Sequence, residues 1–232
     1  MNKAKKISVI MSCFNSEKTL SDSIESILNQ TYSNFEFLIL DDGSTDRTST
    51  ILNKYQELDQ RIKTFKNQKN IGLTKSLNIL IKKSTGKYLA RQDSDDVSFN
   101  KRLSEQINFL SNSKYKVCTT RAEVMGTKNK IPGYSFYFPQ KFIIKFKNPF
   151  IHGTLLIEKE LMKSIGGYDE DFYFAQDYKL FSDLLSQNYS VGAINKVLYK
   201  LNMRNNLSSN MKKEQKYYAD CVRKSLKPNF LI

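Results

Sequence analysis

The sequence contains no hydrophobic run long enough to cross a bilayer. Its longest apolar runs have the length of a strand, whereas a membrane-spanning helix needs roughly 18 residues or more. The basic first residues precede only the short apolar stretch 7–11, which is too short for the apolar region of a signal peptide. We therefore expect a cytoplasmic protein without integral membrane segments.

Cysteine is scarce and the signatures of several common enzyme classes are missing. Cys13, Cys118 and Cys221 match no metal or redox spacing, which favours reduced thiols. No G-x-G-x-x-G follows the first predicted strand, and neither G-x-x-x-x-G-K-[ST] nor G-x-S-x-G occurs. Dinucleotide binding, a P-loop NTPase and an α/β-hydrolase are thus disfavoured. No zinc or RNA-binding signature is present either, so a nucleic-acid partner is not expected.

Acidic residues are outnumbered by basic ones. The 37 Lys and Arg residues against 23 Asp and Glu residues give a net charge of +14, which indicates an anionic partner or surface. Within residues 205–232, Tyr218, Cys221, Val222 and Leu226 recur at helical spacing among six Lys and Arg residues. This pattern predicts a basic amphipathic helix that binds an anionic membrane surface.

What is present is a regular alternation of strand and helix patterns over about 95 residues. Strands are predicted at residues 7–11, 35–40, 62–65 and 88–91, and helices at 20–30, 47–58 and 73–83. Such alternation predicts an α/β fold, with a mostly parallel sheet flanked by helices. Further on, helices are predicted at 101–110, 159–165 and 177–185, strands at 115–124, 154–157, 191–194 and 197–201, and a loop rich in Phe, Tyr and Lys at 126–150.

Three polar clusters follow predicted strands: residues 12–15, Asp41-Asp42, and Asp93-Ser94-Asp95-Asp96. They should meet at the carboxyl edge of the sheet, where ligands bind in such folds. Crowded carboxylates repel each other, and their hard oxygens suit Mg²⁺ or Mn²⁺. A calcium loop starting at Asp93 would need Glu at position 104, which is Ser104. The alternative for the acidic run is a capping turn before the next helix.

Other candidates have structural alternatives as well. Asp42 could accept hydrogen bonds from a ligand or simply form a turn. Asp177 could act as a general base or cap a helix. His152, the only histidine, could serve a phosphate or an acceptor, or be structural.

Five stretches occur together in an order that resembles glycosyltransferase family two, whose members have the GT-A fold. They are Ile7 to Asn15, Leu40 to Asp46, Asn70 to Leu73, Gly86 to Asp96, and Gly166-Gly167-Tyr168-Asp169 followed by Gln176-Asp177. The resemblance covers residues 6 to about 204. It implies a nucleotide-binding half at about 1–100 and an acceptor half at about 101–204, followed by the basic tail 205–232.

The resemblance also implies roles for individual residues. Nucleotide contacts fall to Ser12, Phe14, Asn15, Asp42, Asn70, Lys75, Asp93 and Ser94. Asp95 would bind Mg²⁺ or Mn²⁺, and Asp177 would be the general base. His152 and Lys200 would lie on the acceptor or phosphate side. Lys75 and Lys200 stand where the family often has Arg, so their phosphate contacts would lack bidentate geometry.

The implied reaction is metal-dependent, inverting transfer of a hexosyl or N-acetylhexosaminyl group from a UDP-sugar to a hydroxyl of a glycan or lipid-linked acceptor, in cell-surface polysaccharide synthesis. The absence of Q-x-x-R-W indicates a non-processive enzyme. A nucleotidyltransferase is an alternative, although residues 12–18 lack the Gly- and Arg-rich loop it would need. An inactive nucleotide-sugar-binding module is another, and a homodimer is left open.

Overall fold

A computed structural model describes residues 5–203 and 211–229. Within these residues the strands of one sheet span Ile7–Cys13 (β1), Phe35–Asp41 (β2), Ile62–Lys66 (β3), Tyr88–Arg91 (β4), Val97–Ser98 (β5), Val117–Val124 (β6), Lys130–Ile131 (β7), Leu156–Glu158 (β8) and Gly192–Leu201 (β9). The helices span Leu20–Leu28 (α1), Thr48–Leu58 (α2), Leu73–Lys83 (α3), Arg102–Ser111 (α4), Gln140–Ile143 (α5), Lys159–Ser164 (α6), Gln176–Ser186 (α7) and Lys212–Lys224 (α8). Short 3₁₀ turns lie at Tyr134–Tyr137 and His152–Thr154.

The strand order is β3-β2-β1-β4-β8-β6-β9-β5, with β7 paired to β6. The first four strands pair in parallel, and their helical connections bring the carboxyl ends of β1, β2 and β4 to one edge. β8 is antiparallel to both β4 and β6, whereas β6 and β9 are parallel. The predicted α/β class with helices flanking the sheet is therefore confirmed, and the sheet becomes mixed beyond β4.

The core lies on both faces of the sheet. Along β2, Phe37 and Ile39 face a layer formed with α1, α2 and α4, whereas Leu38 and Leu40 face a layer formed with α3, α6, α7 and α8. All seven residues of β2 are buried, as expected for a central parallel strand covered on both sides. Each such apolar side chain contributes roughly 1.5–3 kcal/mol through its burial.

The acceptor half departs from the predictions in its details. The strands predicted at 191–194 and 197–201 form one strand, β9, because register shifts in β6 around Arg121 accommodate the irregular stretch between them. The predicted loop 126–150 contains β7, a 3₁₀ turn and α5. Thr154 was expected to start a strand, but its backbone N–H donates to Ile151 in a tight turn, so β8 begins only at Leu156.

The basic tail forms a helix, α8, over part of the predicted range. Its Tyr218, Cys221 and Val222 are buried in the core layer beside α7. Residues 204–210 and 230–232, which include both ends of the predicted tail, lie outside the described residues. In 5–203 and 211–229, no helix combines the length and apolar character that crossing a bilayer requires.

Candidate active site

The loops after β1 and β2 are joined by Asn15. Its backbone N–H donates to Ser44 Oγ at 2.9 Å, and its side-chain Oδ1 accepts from the Thr45 N–H at 2.9 Å. Asn15 has a left-handed backbone (φ 48°), a conformation that asparagine tolerates better than most residues. The first two polar clusters therefore form one connected rim.

The third cluster is attached to the same rim through Ser94. Its hydroxyl lies 2.9 Å from Ser16 Oγ, and its carbonyl accepts from Thr19 Oγ1 at 3.0 Å. The Ser23 hydroxyl, one turn further along α1, donates to the Asp93 carbonyl at 2.7 Å. The structure thus brings together all three polar loops that the sequence placed at the carboxyl edge.

Asp42 is buried and holds the loop before α3. Its carboxylate accepts hydrogen bonds from the backbone N–H groups of Ile71 (3.0 Å) and Gly72 (2.9 Å), and from the Asn67 amide (2.8 Å). Gly43, at φ 77°, permits this close approach, because a Cβ there would lie 2.6 Å from the Lys69 backbone. Asp42 thus orders the loop at residues 67–72 from within.

The acidic run rests on buried partners. Asp93 forms an ion pair with Arg91, whose side chain is 1% exposed, and its N–H donates to Tyr199 Oη at 3.2 Å. Asp96 is buried and accepts from the Asn202 N–H at 2.7 Å. Burial and the charges of Asp93 and Asp95 raise the pKa of Asp96 to about 9. The hydrogen bond from Asn202 and its burial give Asp96 a structural position within the run.

Asp95 differs from its neighbours because it is only partly buried and, among the described residues, receives a hydrogen bond from its own backbone alone. Burial, followed by the charge of Asp93, raises its pKa to about 6. A cation beside the two carboxylates would offset both effects. Of the acidic run, Asp95 is the carboxylate best placed to take a new partner.

Two buried arginines support this loop, and sequence reasoning gave neither a role. Arg102, fully buried, donates from Nη1 to the carbonyls of Arg91 (3.0 Å) and Gly153 (3.3 Å). The Arg91 guanidinium donates to the Gln92 carbonyl and to Asp93. In the sequence, Arg91 is a charged residue at the end of a predicted buried strand and just before the acidic run. That position is the feature from which a supporting role for Arg91 could be inferred.

His152 lies in the turn before β8, next to the acidic run, since a Cβ on the following Gly153 would lie 2.8 Å from Asp93 Oδ2. Its Nε2 is 2.7 Å from the Tyr168 hydroxyl. Burial, with a further contribution from Arg91, lowers the pKa of His152 to about 4, while Asp93 and Asp177 act in the opposite direction. The ring is therefore neutral at pH 7. Tyr168 belongs to the Gly166-Gly167-Tyr168-Asp169 stretch, where the sequence gave it no specific function.

Asp177 lies in the first turn of α7. One of its oxygens, Oδ2, accepts from the Asn148 amide at 2.8 Å. The residue before the helix, Ala175, has a left-handed backbone (φ 52°), which costs of order 1 kcal/mol for a residue with a Cβ. Strained backbone is often found at functional sites. Asn148, which orients this carboxylate, was not predicted.

The remaining candidates are more loosely connected. Ser12 is buried at the end of β1, whereas Phe14 is 46% exposed on the rim. Asn70 accepts from the Gly72 N–H at 3.0 Å, and Lys75 is exposed in the first turn of α3. Lys200 pairs with Glu123 at 3.8 Å and lies over the Phe99 ring. The structure thus gives Lys200 partners outside the acidic run.

A divalent metal fits the donor set at the acidic run. Within the described residues, no three His, Cys, Asp or Glu side chains are grouped to hold a metal by themselves. Asp93 and Asp95 can supply hard carboxylate oxygens, and Mg²⁺ commonly takes one or two carboxylates together with substrate phosphates and water. The sparse protein contribution is therefore compatible with an ion that is shared with a diphosphate.

Residues 8–166 match the family model "Glycosyl transferase family 2". The chain belongs to this family. It is 33% identical to the O-antigen biosynthesis glycosyltransferase WbnJ of Escherichia coli, over 95% of this chain and 87% of that protein. It is 32% identical to the E. coli UDP-Glc:alpha-D-GlcNAc-diphosphoundecaprenol beta-1,3-glucosyltransferase WfgD, over 93% of this chain and 85% of that protein. A Bacillus subtilis relative named EpsE is 37% identical over 72% of this chain, and the match spans 62% of its own length.

Solved structures confirm the GT-A fold. The mannosyltransferase PcManGT of Pyrobaculum calidifontis, in complex with GDP-Man and Mn²⁺, superposes with a TM-score of 0.78 at 16% identity, over 98% of this chain and 67% of that one. TarS of S. aureus in complex with UDP-GlcNAc superposes with a TM-score of 0.72 at 24% identity, over 87% of this chain and 59% of that one. The family and fold expected from the sequence motifs are both confirmed.

Proposed function

We propose that this chain transfers a sugar from a nucleotide-sugar donor to a hydroxyl group of a glycan or lipid-linked acceptor. The observation that carries the proposal is the rim formed by the loops after β1, β2 and β4, which includes the acidic run at residues 93–96. Asp95 lies on the rim where the loops after β1, β2 and β4 converge, and Asp177 lies at the start of α7. The turn at His152 adjoins Asp93, since a Cβ on Gly153 would lie 2.8 Å from Asp93 Oδ2, and Asn148 donates to Asp177 Oδ2 at 2.8 Å.

The donor is a UDP-sugar in this proposal. Support comes from WfgD, whose name specifies UDP-Glc, and from TarS, which was solved with UDP-GlcNAc. Ser12, Phe14, Asn15, Asn70, Lys75 and Ser94 would surround the nucleotide on this chain. Phe14 offers an exposed ring for contact with the base. Asp42 acts indirectly, since it orders the loop that contains Asn70.

Asp95, with Asp93 beside it, would hold Mg²⁺ or Mn²⁺ in the donor complex. The metal, when bound, neutralises charge on the diphosphate as it leaves. PcManGT, solved with Mn²⁺, supports this assignment by its fold. Arg91 keeps Asp93 in place through a buried ion pair, so the site is oriented before the donor arrives.

Asp177 is the general base in this proposal. Asn148 engages Oδ2, and the other carboxylate oxygen takes the proton from the acceptor hydroxyl as that hydroxyl attacks the anomeric carbon. Because no second nucleophile is assigned, a single displacement with inversion follows. His152, neutral at pH 7, borders the acceptor side together with Tyr168.

The proposed setting is cell-surface polysaccharide synthesis, by a non-processive enzyme at the cytoplasmic face of the membrane. Support comes from the names of WbnJ and WfgD, which specify O-antigen biosynthesis and a diphosphoundecaprenol-linked acceptor. The net charge of +14 suits work at an anionic surface. Within the tail helix, Tyr218, Cys221 and Val222 are buried in the core, so the lysines are the groups that would meet such a surface.

The deciding experiment screens nucleotide-sugars for hydrolysis or transfer with and without Mn²⁺. We expect turnover with a UDP-sugar that requires the metal and is lost in Asp95→Ala, with thermal stability of the protein retained. Unchanged turnover in Asp95→Ala would remove the metal assignment. A product that keeps the donor's anomeric configuration would refute inversion.

A further inference from the structure

A short segment of the acceptor half leaves its aromatic rings in solvent. The exposed fractions are 89% for Tyr134, 67% for Tyr137, 55% for Phe138, 55% for Phe142 and 61% for Phe146. Single exposed apolar residues are ordinary, but several within 13 residues form a patch of the kind that marks an interaction surface. None of the proposed catalytic steps uses these rings.

The segment is nevertheless firmly attached to the protein. Gln140 exchanges two hydrogen bonds with the backbone of Val191, at 2.6 and 3.3 Å. The Tyr178 hydroxyl donates to the Ile144 carbonyl at 2.5 Å, and the Ile144 side chain is buried. Hydrogen bonds and the buried Ile144 side chain thus hold the inward side of the segment against the protein. This anchoring leaves the rings pointing outward.

Positive charge accompanies the rings without any acidic residue. Residues 124–157 contain five lysines and no Asp or Glu. Lys141, Lys145 and Lys147 are exposed beside the rings of Phe142 and Phe146, whose centroids are 5.2 Å apart. The Phe146 N–H donates to the Ile143 carbonyl at 2.9 Å in a turn that follows α5 and keeps the two rings together, and Lys141 Nζ donates to Asn188 at 2.8 Å. Phenyl and tyrosyl rings with flanking lysines suit the headgroup region of a bilayer, where rings enter the interface and ammonium groups meet lipid phosphates.

The position of the segment relates it to the acceptor side. It leads directly into Asn148, which holds the Asp177 carboxylate at 2.8 Å. Arg223 of α8 donates to the Phe146 carbonyl at 3.3 Å, so the cationic side of the tail helix adjoins the segment. A membrane against these rings would lie next to the side from which a lipid-linked acceptor has to enter.

We propose that this aromatic–lysine surface binds an anionic lipid bilayer, and that it consists of Tyr134, Tyr137, Phe138, Phe142 and Phe146 with Lys141, Lys145 and Lys147. The inference deepens the proposed function, on which its link to a lipid-linked acceptor rests. It differs from membrane binding by an amphipathic tail, because the apolar side of α8 is occupied by the protein's own core, whereas the rings of this surface are free to enter the interface.

The first test measures co-sedimentation of the full chain with vesicles of phosphatidylglycerol and phosphatidylcholine in equal parts, or of phosphatidylcholine alone. We expect binding to the anionic vesicles only. Lys141→Gln/Lys145→Gln should lower the partition coefficient by about fivefold per lysine, and Phe142→Ser/Phe146→Ser by about tenfold or more. The matched controls Lys54→Gln/Lys82→Gln and Leu58→Ser alter exposed residues of α2 and α3 and should bind like the wild type.

A second test measures the surroundings of one introduced residue and does not require a variant that binds vesicles more weakly. The chain contains no tryptophan, so a single introduced one reports only its own surroundings. Phe142→Trp should show blue-shifted emission when anionic vesicles are added, and Leu58→Trp should show none. Equal behaviour of the two reporters, or equal binding of the segment variants and the controls, would overturn the proposal.

Membrane binding and sugar transfer can fail independently of each other. Vesicle binding requires no sugar transfer, so an inactive protein that binds through the surface would defeat the proposed function alone. Conversely, metal-dependent turnover with no vesicle binding would overturn the proposed lipid binding by this surface and leave the proposed function standing. Concentration-dependent dimerisation that disappears in Phe142→Ser/Phe146→Ser, without lipid binding, would assign the surface to a second copy and overturn the bilayer.

Discussion

The parts of the molecule before and after Ser98 hold their chemical groups in different ways. In the first part, Asn15, Ser16 and Ser94 connect three loops by side-chain hydrogen bonds, so the proposed nucleotide side is one linked rim. In the second part, the Asp177 side chain has one described hydrogen bond, which it accepts from Asn148, and the His152 side chain has one, which it shares with the Tyr168 hydroxyl. The difference suggests that donor geometry is built into the sheet, whereas acceptor geometry depends on a few separate contacts.

The largest expected effect separates the two parts functionally. Asp177→Asn should reduce transfer by about a thousandfold, because the proposed general base is lost, while UDP affinity stays unchanged. Steady-state kinetics and calorimetric titration with UDP provide the measurements. Asp183→Asn, two turns further along the same helix, is the matched control and should retain activity. Loss of UDP affinity in Asp177→Asn would contradict the comparison, because it would show that the second part of the molecule also affects nucleotide binding.

The packing of the tail against the second part gives the next effect. Tyr218 is 6% exposed and its ring lies 5.6 Å from that of Phe174 and 6.1 Å from that of Phe172. Tyr218→Ala should lower the free energy of unfolding by about 3 kcal/mol, as expected for a buried aromatic side chain. The neighbouring Tyr217→Ala, at a 41% exposed position, should cost less than about 1 kcal/mol in urea denaturation. Equal losses would argue against docking of α8.

The first part should respond to acid through Glu36. Burial raises the pKa of its carboxyl group, but hydrogen bonds from Ser8, Thr85 and Lys6 together outweigh burial and lower the pKa to about 2. Because this pKa lies below the value in the unfolded chain, the stabilisation is present above about pH 4.5 and is lost as pH falls toward 2.

Glu36→Gln should therefore cost about 2–3 kcal/mol at pH 7, and the difference from wild type should shrink below pH 4.5. Urea denaturation at a series of pH values measures it. Glu57→Gln, at an exposed position on α2, serves as the control and should follow the wild-type curve. A difference that stays constant with pH would show that the carboxylate charge is not what stabilises this corner.

The smallest effect tests the single contact to Asp177. Asn148→Ala should lower kcat by about tenfold, because Asp177 loses the partner that orients it, with little change in the KM for the donor. Asn112→Ala, on the exposed end of α4, is the matched control. A rise in donor KM with kcat unchanged would place Asn148 on the nucleotide side instead.

The sequence predicted the first part of the fold well because its elements follow local rules. Each strand from β1 to β4 is a short apolar run ended by polar residues, and each following helix shows a clear apolar stripe. The acceptor half depends on distant pairings. β8 has three residues and β7 has two, so neither carries a readable pattern, and both exist through their partners in the sheet.

The site was predictable to the same extent. Motif spacing predicted the convergence of Ser12 to Asn15, Asp41-Asp42 and the acidic run, because strand ends in a parallel sheet share an edge. It did not predict that the Asp42 carboxylate would bind the protein's own backbone. This carboxylate accepts hydrogen bonds from backbone groups of the loop at Ile71. Arg102 and Asn148 were missed for a similar reason: each reaches its partners across a long stretch of sequence.

One strand has a mechanical consequence for catalysis. β8 is hydrogen-bonded to β4 on one side and to β6 on the other, and it directly follows the turn that contains His152. The two parts of the molecule are therefore joined by hydrogen bonds to a shared strand, β8, and do not open as hinged bodies at β8. We therefore expect substrates and products to pass by movement of the loops around β8, and we expect the slowest-exchanging amides of the sheet in β8.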